Sequence, residues 1–295
     1  MIYTEISSGL GNQLFQYAVA RQLSIKNNTS LKLDISFFDN QNLRNYKLHN
    51  YNINATIADK IEIDNFLSIY SRDVLYAKLY RRIEKKIPKY FRKYYSETQW
   101  WVYEAELSKV ANNTYLKGYW QHYKYFQKID SGIFNELTPK NDEYNNYSIT
   151  HTILQDTASV SIHIRRGDYI TDTAANDLMG TLPLEYYKSA IKYLKEQLIA
   201  PFFYIFSDDL EWAKDNLNLG NSAQYIDIAN GGKDYIELYL MSKCRHNIIA
   251  NSSFSWWGAF LNQNKEKIVI APAQWVKSDL MNSKVEIQCP SWIKM

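Results

Sequence analysis

Sulfur and proline are scarce in this chain of 295 residues, and no long apolar run interrupts it. Its two cysteines, Cys244 and Cys289, stand far apart, which excludes a disulfide-stapled scaffold. Cys244 closes a helical, apolar segment where a buried free thiol is expected, and a reducing cytosol fits that state. No apolar run approaches the roughly 18 residues of a membrane span. Met1 leads directly into Ile2-Tyr3-Thr4-Glu5-Ile6, without the basic and apolar regions of a signal peptide. The expected location is therefore cytoplasmic, at most peripheral at the inner face of a membrane. No His/Cys cluster has metal-ligand spacing, and no two aspartates stand one residue apart, so the Asp-x-Asp grip on a metal-bound sugar diphosphate is missing. No metal and no resident cofactor is expected. With 34 basic and 31 acidic residues the formal charge is +3, too small to argue for a nucleic-acid partner.

What is present is enough apolar material, 46%, for a substantial core, and a length that suggests two domains, 1–150 and 151–295, with a polar linker near 141–146. The 25 tyrosines and 8 tryptophans offer rings of the kind that stack on sugars, although such rings more often simply pack. The opening strand feeds Ser7-Ser8-Gly9-Leu10-Gly11-Asn12-Gln13 and then a helix over 14–25, before a second strand at Leu31-Lys32-Leu33-Asp34-Ile35. In that βαβ unit Gly9 and Gly11 are expected to turn the backbone sharply and admit a ligand at a helix N-terminus. The pattern loosens between about 40 and 140. Residues 76–95 read as a basic amphipathic helix interrupted by Pro88. Such a helix is usually packed on the core with a solvated basic face, and the sharper reading is contact with anionic lipid or an acidic acceptor through 78–93. Tyr115-Leu116-Lys117-Gly118-Tyr119-Trp120-Gln121 reads as a strand with an aromatic end.

From residue 160 the rhythm is regular. Strands at 160–164, 202–206, 224–228, 247–250 and 267–271 alternate with helices at 184–198, 210–217, 234–244 and one through Trp256 and Trp257, which predicts a doubly wound α/β parallel sheet. Polar clusters fall at the strand ends, where ligands of open α/β sheets bind: His163-Ile164-Arg165-Arg166-Gly167-Asp168, Ser207-Asp208-Asp209, Asn230-Gly231-Gly232 and Asn251-Ser252-Ser253. Two adjacent guanidinium forks suit the oxygens of a diphosphate, or else an ordinary ion-pair network. Asn251, Ser252 and Ser253 suit a helix cap, a phosphate, or both. Glu237 offers a carboxylate to a guanine edge or to solvent.

Four blocks together are specific. Ser8-Gly9-Leu10-Gly11-Asn12-Gln13-Leu14-Phe15-Gln16-Tyr17-Ala18, His163 to Asp168, Phe206 to Asp209 and Ile249-Ala250-Asn251-Ser252-Ser253-Phe254-Ser255-Trp256-Trp257-Gly258-Ala259 resemble, in order, those of the α-1,2-fucosyltransferases of glycosyltransferase family 11. The stretch 40–140 carries none of them. The resemblance implies a GT-B-like α/β fold, two Rossmann-type domains with parallel sheets facing a cleft, the first on the acceptor side and the second binding GDP-fucose. It implies inverting, metal-independent transfer of L-fucose from GDP-β-L-fucose to the 2-hydroxyl of a terminal β-galactoside, on a free or lipid-linked oligosaccharide. Arg165 would grip the leaving β-phosphate, with His163 beside the nucleotide. Arg166, Asp208, Asn251, Ser252, Ser253, Gly9 and Gly11 would serve the donor, and Glu237 would read guanine. Asn12 would lie near the acceptor hydroxyl and the anomeric carbon. Asp168 is a candidate base, although two neighbouring arginines favour an orienting role. Alternatives are a GDP-fucose enzyme of another linkage (α-1,6 or protein O-linked) and a non-catalytic nucleotide-sugar-binding module.

Overall fold

In the computed structural model, which describes residues 1–41, 43–71, 74–229 and 232–295, the chain divides into two compact units, Met1–Leu137 and Thr138–Met295. Asn230 and Gly231 of the third polar cluster lie outside the described residues.

The first unit is built on β1 (Ile2–Glu5), α1 (Leu10–Lys26), β2 (Leu31–Asp34), β3 (Thr56–Ile57), α2 (Lys60–Ser71), α3 (Leu75–Glu84), β4 (Tyr94–Ser96), β5 (Thr114–Lys117) and α4 (Ser131–Glu136). Its sheet runs β3-β2-β1-β5-β4, every pairing parallel, with Ile2 opposite both Leu31 and Thr114. Parallel sheets need both faces covered, and α1 is accordingly buried around most of its circumference, Phe15, Tyr17, Ala18 and Ala20 among the fully buried residues. Strand order reverses beside β1, so the turns after β1 and β5 meet at this unit's switch point.

The second unit continues through α5 (Ser148–Gln155), β6 (Ser159–Ile164), α6 (Gly167–Thr171), α7 (Thr173–Leu178), α8 (Leu184–Gln197), β7 (Phe202–Ser207), α9 (Leu210–Asn216), β8 (Ala223–Ile226), α10 (Asp234–Lys243), β9 (His246–Ile248), α11 (Ser253–Phe260), β10 (Val269–Ala271), α12 (Asp279–Asn282) and β11 (Ile293–Lys294). Its all-parallel order, β11-β10-β9-β6-β7-β8, is the doubly wound arrangement in which the chain starts at the centre, fills one side and then crosses to the other. β6 is buried on both faces, and its two faces pack differently. Val160, Ile162 and Ile164 pack with Tyr187, Ala190 and Leu194 of α8, while Ser159 and Ser161 accept hydrogen bonds from the Arg245 amide (3.0 Å) and the Asn247 side chain (2.7 Å). Truncating one such buried isoleucine to alanine costs about 2–5 kcal/mol, so β6 is a rigid base for the turn at its carboxyl end.

The alternating strands and helices expected after residue 160 are all present, their ends shifted by one or two residues. Segment 140–146 is a kinked short helical stretch rather than an open linker, and its Glu143 is held by Lys233 and Tyr235. Both cysteines are free, Cys244 buried. Among the described residues, no helix is long and apolar enough to cross a membrane.

Candidate active site

Strand register decides which charges meet in the second unit. Ile164 of β6 pairs with Ser207 of β7, so the residues one and two places beyond each strand tip become neighbours. Arg165 reaches Asp208 (Nη1 to Oδ2, 2.9 Å) and Asp168 (Nη2 to Oδ1, 2.7 Å). Arg166 reaches Asp209 (3.1 Å), donates its backbone amide to Asp208 Oδ1 (2.8 Å) and lays its guanidinium over the Trp212 ring at 4.1 Å. A Cβ added to Gly167 would sit 2.8 Å from Asp208 Oδ2, so the glycine is what lets this carboxylate close over the turn. Of the two arrangements the sequence leaves open here, an anion site or an ordinary ion-pair network, the network exists: three carboxylates surround two guanidiniums. Each arginine is thereby held in one direction. Burial pulls the Arg165 pKa down, but the Asp208 and Asp168 carboxylates outweigh it and the net shift is upward, so the fork stays charged.

His163, the last inward-facing residue of β6 on the polar side, is buried against Phe254, ring centroids 5.3 Å apart, and its Nδ1 has no hydrogen-bond partner. Burial, reinforced by the positive charge of Arg165, pushes its pKa down to about 3, so the ring is neutral at ordinary pH. A second buried polar atom without a partner, Asn251 Oδ1, belongs to the turn after β9, the strand paired with β6 on its other side. The amide nitrogen of Asn251 ties three carbonyls together, Met179 (3.1 Å), Gly180 (3.1 Å) and Trp275 (3.2 Å), and its own backbone carbonyl accepts from Tyr169 (2.9 Å). Ser252 caps α11 through the Phe254 amide, and Ser253 opens that helix. The turns after β6 and β9 therefore flank the switch point of this sheet, the position where doubly wound proteins take a nucleotide.

Glu237 is placed differently from a free guanine reader. It is buried in α10, and its Oε1 accepts the backbone amides of Ile228 and Ala229, both at 2.8 Å. It therefore anchors the loop that leads into the undescribed Asn230 and Gly231. Burial raises its pKa to about 7 against the opposing pull of those amides.

The first unit gathers its own cluster at the switch point. Asn12, in the first turn of α1, accepts from Gln121 Nε2 (2.6 Å), which lies beyond the end of β5. The turn between β1 and α1 is strutted by glutamines: Gln13 donates to the Ser8 and Asn45 carbonyls (both 2.9 Å), and Gln16 accepts the Ser7 amide (2.9 Å). The sharp backbone turn expected of Gly9 and Gly11 belongs instead to Ser8, at φ 63°. Gly9 is the N-cap at φ −73° with nothing near its missing Cβ, and Gly11 lies inside the first helical turn. Sequence reasoning missed Glu97, whose carboxylate accepts the amides of Tyr119 (2.6 Å) and Trp120 (2.9 Å) and so fixes the loop that presents Gln121. Burial lifts this carboxyl to about 7 too. No sequence motif marks it; Gly118 stands where a Cβ would collide with Glu97 Cβ at 2.5 Å. A cavity of about 460 Å³ lined by Val19, Leu23, Tyr103 and Tyr125 shares no residue with either cluster.

Comparison with known proteins bears on the family and the fold. The family model described as glycosyl transferase family 11 matches residues 1–295. An Escherichia coli protein named alpha-1,2-colitosyltransferase is 32% identical, covering 100% of this chain and 99% of its own length. Galactoside alpha-(1,2)-fucosyltransferase 2 of Bos taurus is 27% identical over 104 residues, 35% of this chain and 30% of its own length. Among solved structures, a mutant of Arabidopsis thaliana FUT1 in complex with GDP superposes with a TM-score of 0.50 at 11% identity, covering 91% of this chain and 69% of that one, which shows a shared GT-B-like fold.

Proposed function

The chain belongs to glycosyl transferase family 11 and is a glycosyltransferase, and from that premise we propose that it transfers L-fucose from GDP-β-L-fucose to the 2-hydroxyl of a terminal β-galactoside, inverting the anomeric centre. The observation that carries the reading is the arginine fork fixed at the switch point of the second sheet, beside the Asn251–Ser253 turn. In the reaction the acceptor oxygen bonds to fucose C1 as the bond from C1 to the β-phosphate oxygen breaks, and the hydroxyl proton leaves to the departing diphosphate or to solvent. Negative charge grows on the departing GDP, and a guanidinium already locked in place stabilises it without reorganising. Arg165 has this role, Arg166 assists on the diphosphate, and the Ser252–Ser253 turn offers amides at the start of α11. Because Asp168 and Asp208 already share Arg165, their part is to hold the fork, and Asp168 is a positioning residue rather than the base. Asn12, oriented by Gln121, serves the acceptor hydroxyl and the anomeric carbon. Fixed cations supply the charge stabilisation, so no metal is required. The first unit takes the acceptor oligosaccharide, free or lipid-linked, and the second takes GDP-fucose.

The full-length likeness to a protein named for colitose transfer favours a second donor sugar on the same site. Incubation of the chain with β-galactosides and either GDP-fucose or the corresponding colitosyl nucleotide, with NMR of the product, separates the two. An α-1,2-linked fucoside from GDP-fucose supports the proposal. A 1,6 linkage, a preference for the colitosyl donor, or binding without product refutes it.

A further inference from the structure

α3 shows its apolar side to solvent. Leu75, Leu79 and Ile83 recur every fourth residue and so form one stripe, with Tyr76 at its edge, and they are exposed at 84%, 56%, 57% and 55%. The opposite face, which points into the unit, joins small buried Ala77 to a polar network: buried Glu84 accepts from Tyr70 (2.6 Å) and from the Lys93 amide (3.2 Å), and Arg81 donates to the carbonyls of Ile69 (3.0 Å) and Tyr70 (2.9 Å). This inverts the ordinary amphipathic helix, which buries its apolar stripe. It also departs from the commoner sequence expectation for 76–95, a basic face on a core-packed helix. Phe91, later in the same segment, is exposed too. Lys78, Arg82, Lys85, Lys86 and Lys93 are exposed along the same segment, whose single acid between 74 and 93 is the inward-turned Glu84.

We propose that α3 is a docking helix for an anionic lipid bilayer, its Leu75–Leu79–Ile83 stripe entering the headgroup region while the flanking lysines and arginine meet lipid phosphates. Charge selects this occupant. A bilayer rich in anionic headgroups satisfies both halves of the surface, whereas a second copy of the same face would set Arg82, Lys85, Lys86 and Lys93 against the same four cations. Docking of this kind is independent of the donor and acceptor assigned above, because it concerns only where the first unit rests.

The test is cosedimentation of the full chain with vesicles of phosphatidylcholine alone or of phosphatidylcholine with phosphatidylglycerol. Retention on the anionic vesicles only, released by raised salt, is expected. Leu79→Glu with Ile83→Glu should abolish it while thermal melting and GDP release on a soluble acceptor stay unchanged, since both side chains are exposed and neither belongs to the clusters described. Arg82→Ser, Lys85→Ser and Lys86→Ser together should weaken binding by roughly a hundredfold, at about fivefold per cation removed. Equal binding to neutral vesicles, no binding to anionic ones, or retention by the Leu79→Glu/Ile83→Glu protein overturns the proposal. So does a dimer in sedimentation that Leu79→Glu dissolves, which would assign the stripe to a second copy.

Discussion

Glu237 distinguishes a structural carboxylate from a ligand-reading one. Both amides on its Oε1, those of Ile228 and Ala229, are at 2.8 Å, and the side chain is buried. Glu237→Ala leaves two partly buried donors without an acceptor, each costing about 1–3 kcal/mol, so a loss near 3 kcal/mol is expected. For a protein in this size range that corresponds to a fall in Tm of roughly 6–12 °C. Glu237→Gln keeps an acceptor oxygen in the same place and should cost less than about 1 kcal/mol. The pH dependence separates the pair further. Burial holds the folded carboxyl at about 7, above its ordinary value of 4.5. The native state therefore binds the extra proton between those values, and Glu237's contribution to stability falls as pH rises from about 4.5 to about 7, then stays flat. In Glu237→Gln that contribution is absent, so the wild-type-minus-variant difference in stability should decline across the window and level off above it. Urea melts of the three proteins from about pH 4.5 to about pH 8.5 read both effects. If Glu237→Ala melts with the wild type but loses affinity for GDP, the anchoring role is refuted and the residue belongs to the guanine edge.

Other contacts give outcomes of their own. Gly167→Ala places a methyl 2.8 Å from Asp208 Oδ2, so the carboxylate that holds Arg165 and the Arg166 amide has to shift; calorimetry should show a loss of about 1 kcal/mol, and an unchanged Tm would refute the close approach. Asn251→Asp turns a donor shared by three carbonyls into an acceptor facing them, and thermal melting should report a loss of at least about 3 kcal/mol, larger than that for Asn251→Ala. Gln121→Leu removes the hydrogen bond that Gln121 gives Asn12, so steady-state kinetics should show kcat down about tenfold with GDP affinity, measured by calorimetry, unchanged.

The second unit was legible in the sequence because a sheet buried on both faces writes itself as short apolar runs, and doubly wound chains put polar residues at the carboxyl ends of those runs. Arg165, Asp208 and Asn251 could be named for that reason. Their bonding could not, because the pairing of Ile164 with Ser207, which sets Arg165 and Arg166 against Asp208 and Asp209, is a register between strands that are far apart in the chain. The short strands Thr56–Ile57 and Tyr94–Ser96 left no periodic signal of their own, being two and three residues long. Glu97 was invisible for a related reason: it acts through the backbone amides of a loop that is distant in sequence. In the basic segment the apolar spacing is that of a helix, but spacing alone does not say which face turns inward, and here the buried contacts of Arg81 and Glu84 decide it.

The most direct test of the transfer mechanism is release of GDP from GDP-fucose, in EDTA, on a panel of β-galactosides, comparing the parent chain with Arg165→Ala. The expected result is acceptor-dependent release that survives EDTA and a fall in kcat of about a hundredfold or more in Arg165→Ala, with GDP-fucose binding weakened far less, because the guanidinium acts on charge that develops in the transition state. Release that needs a divalent metal, or an Arg165→Ala enzyme that turns over like the parent, would contradict it.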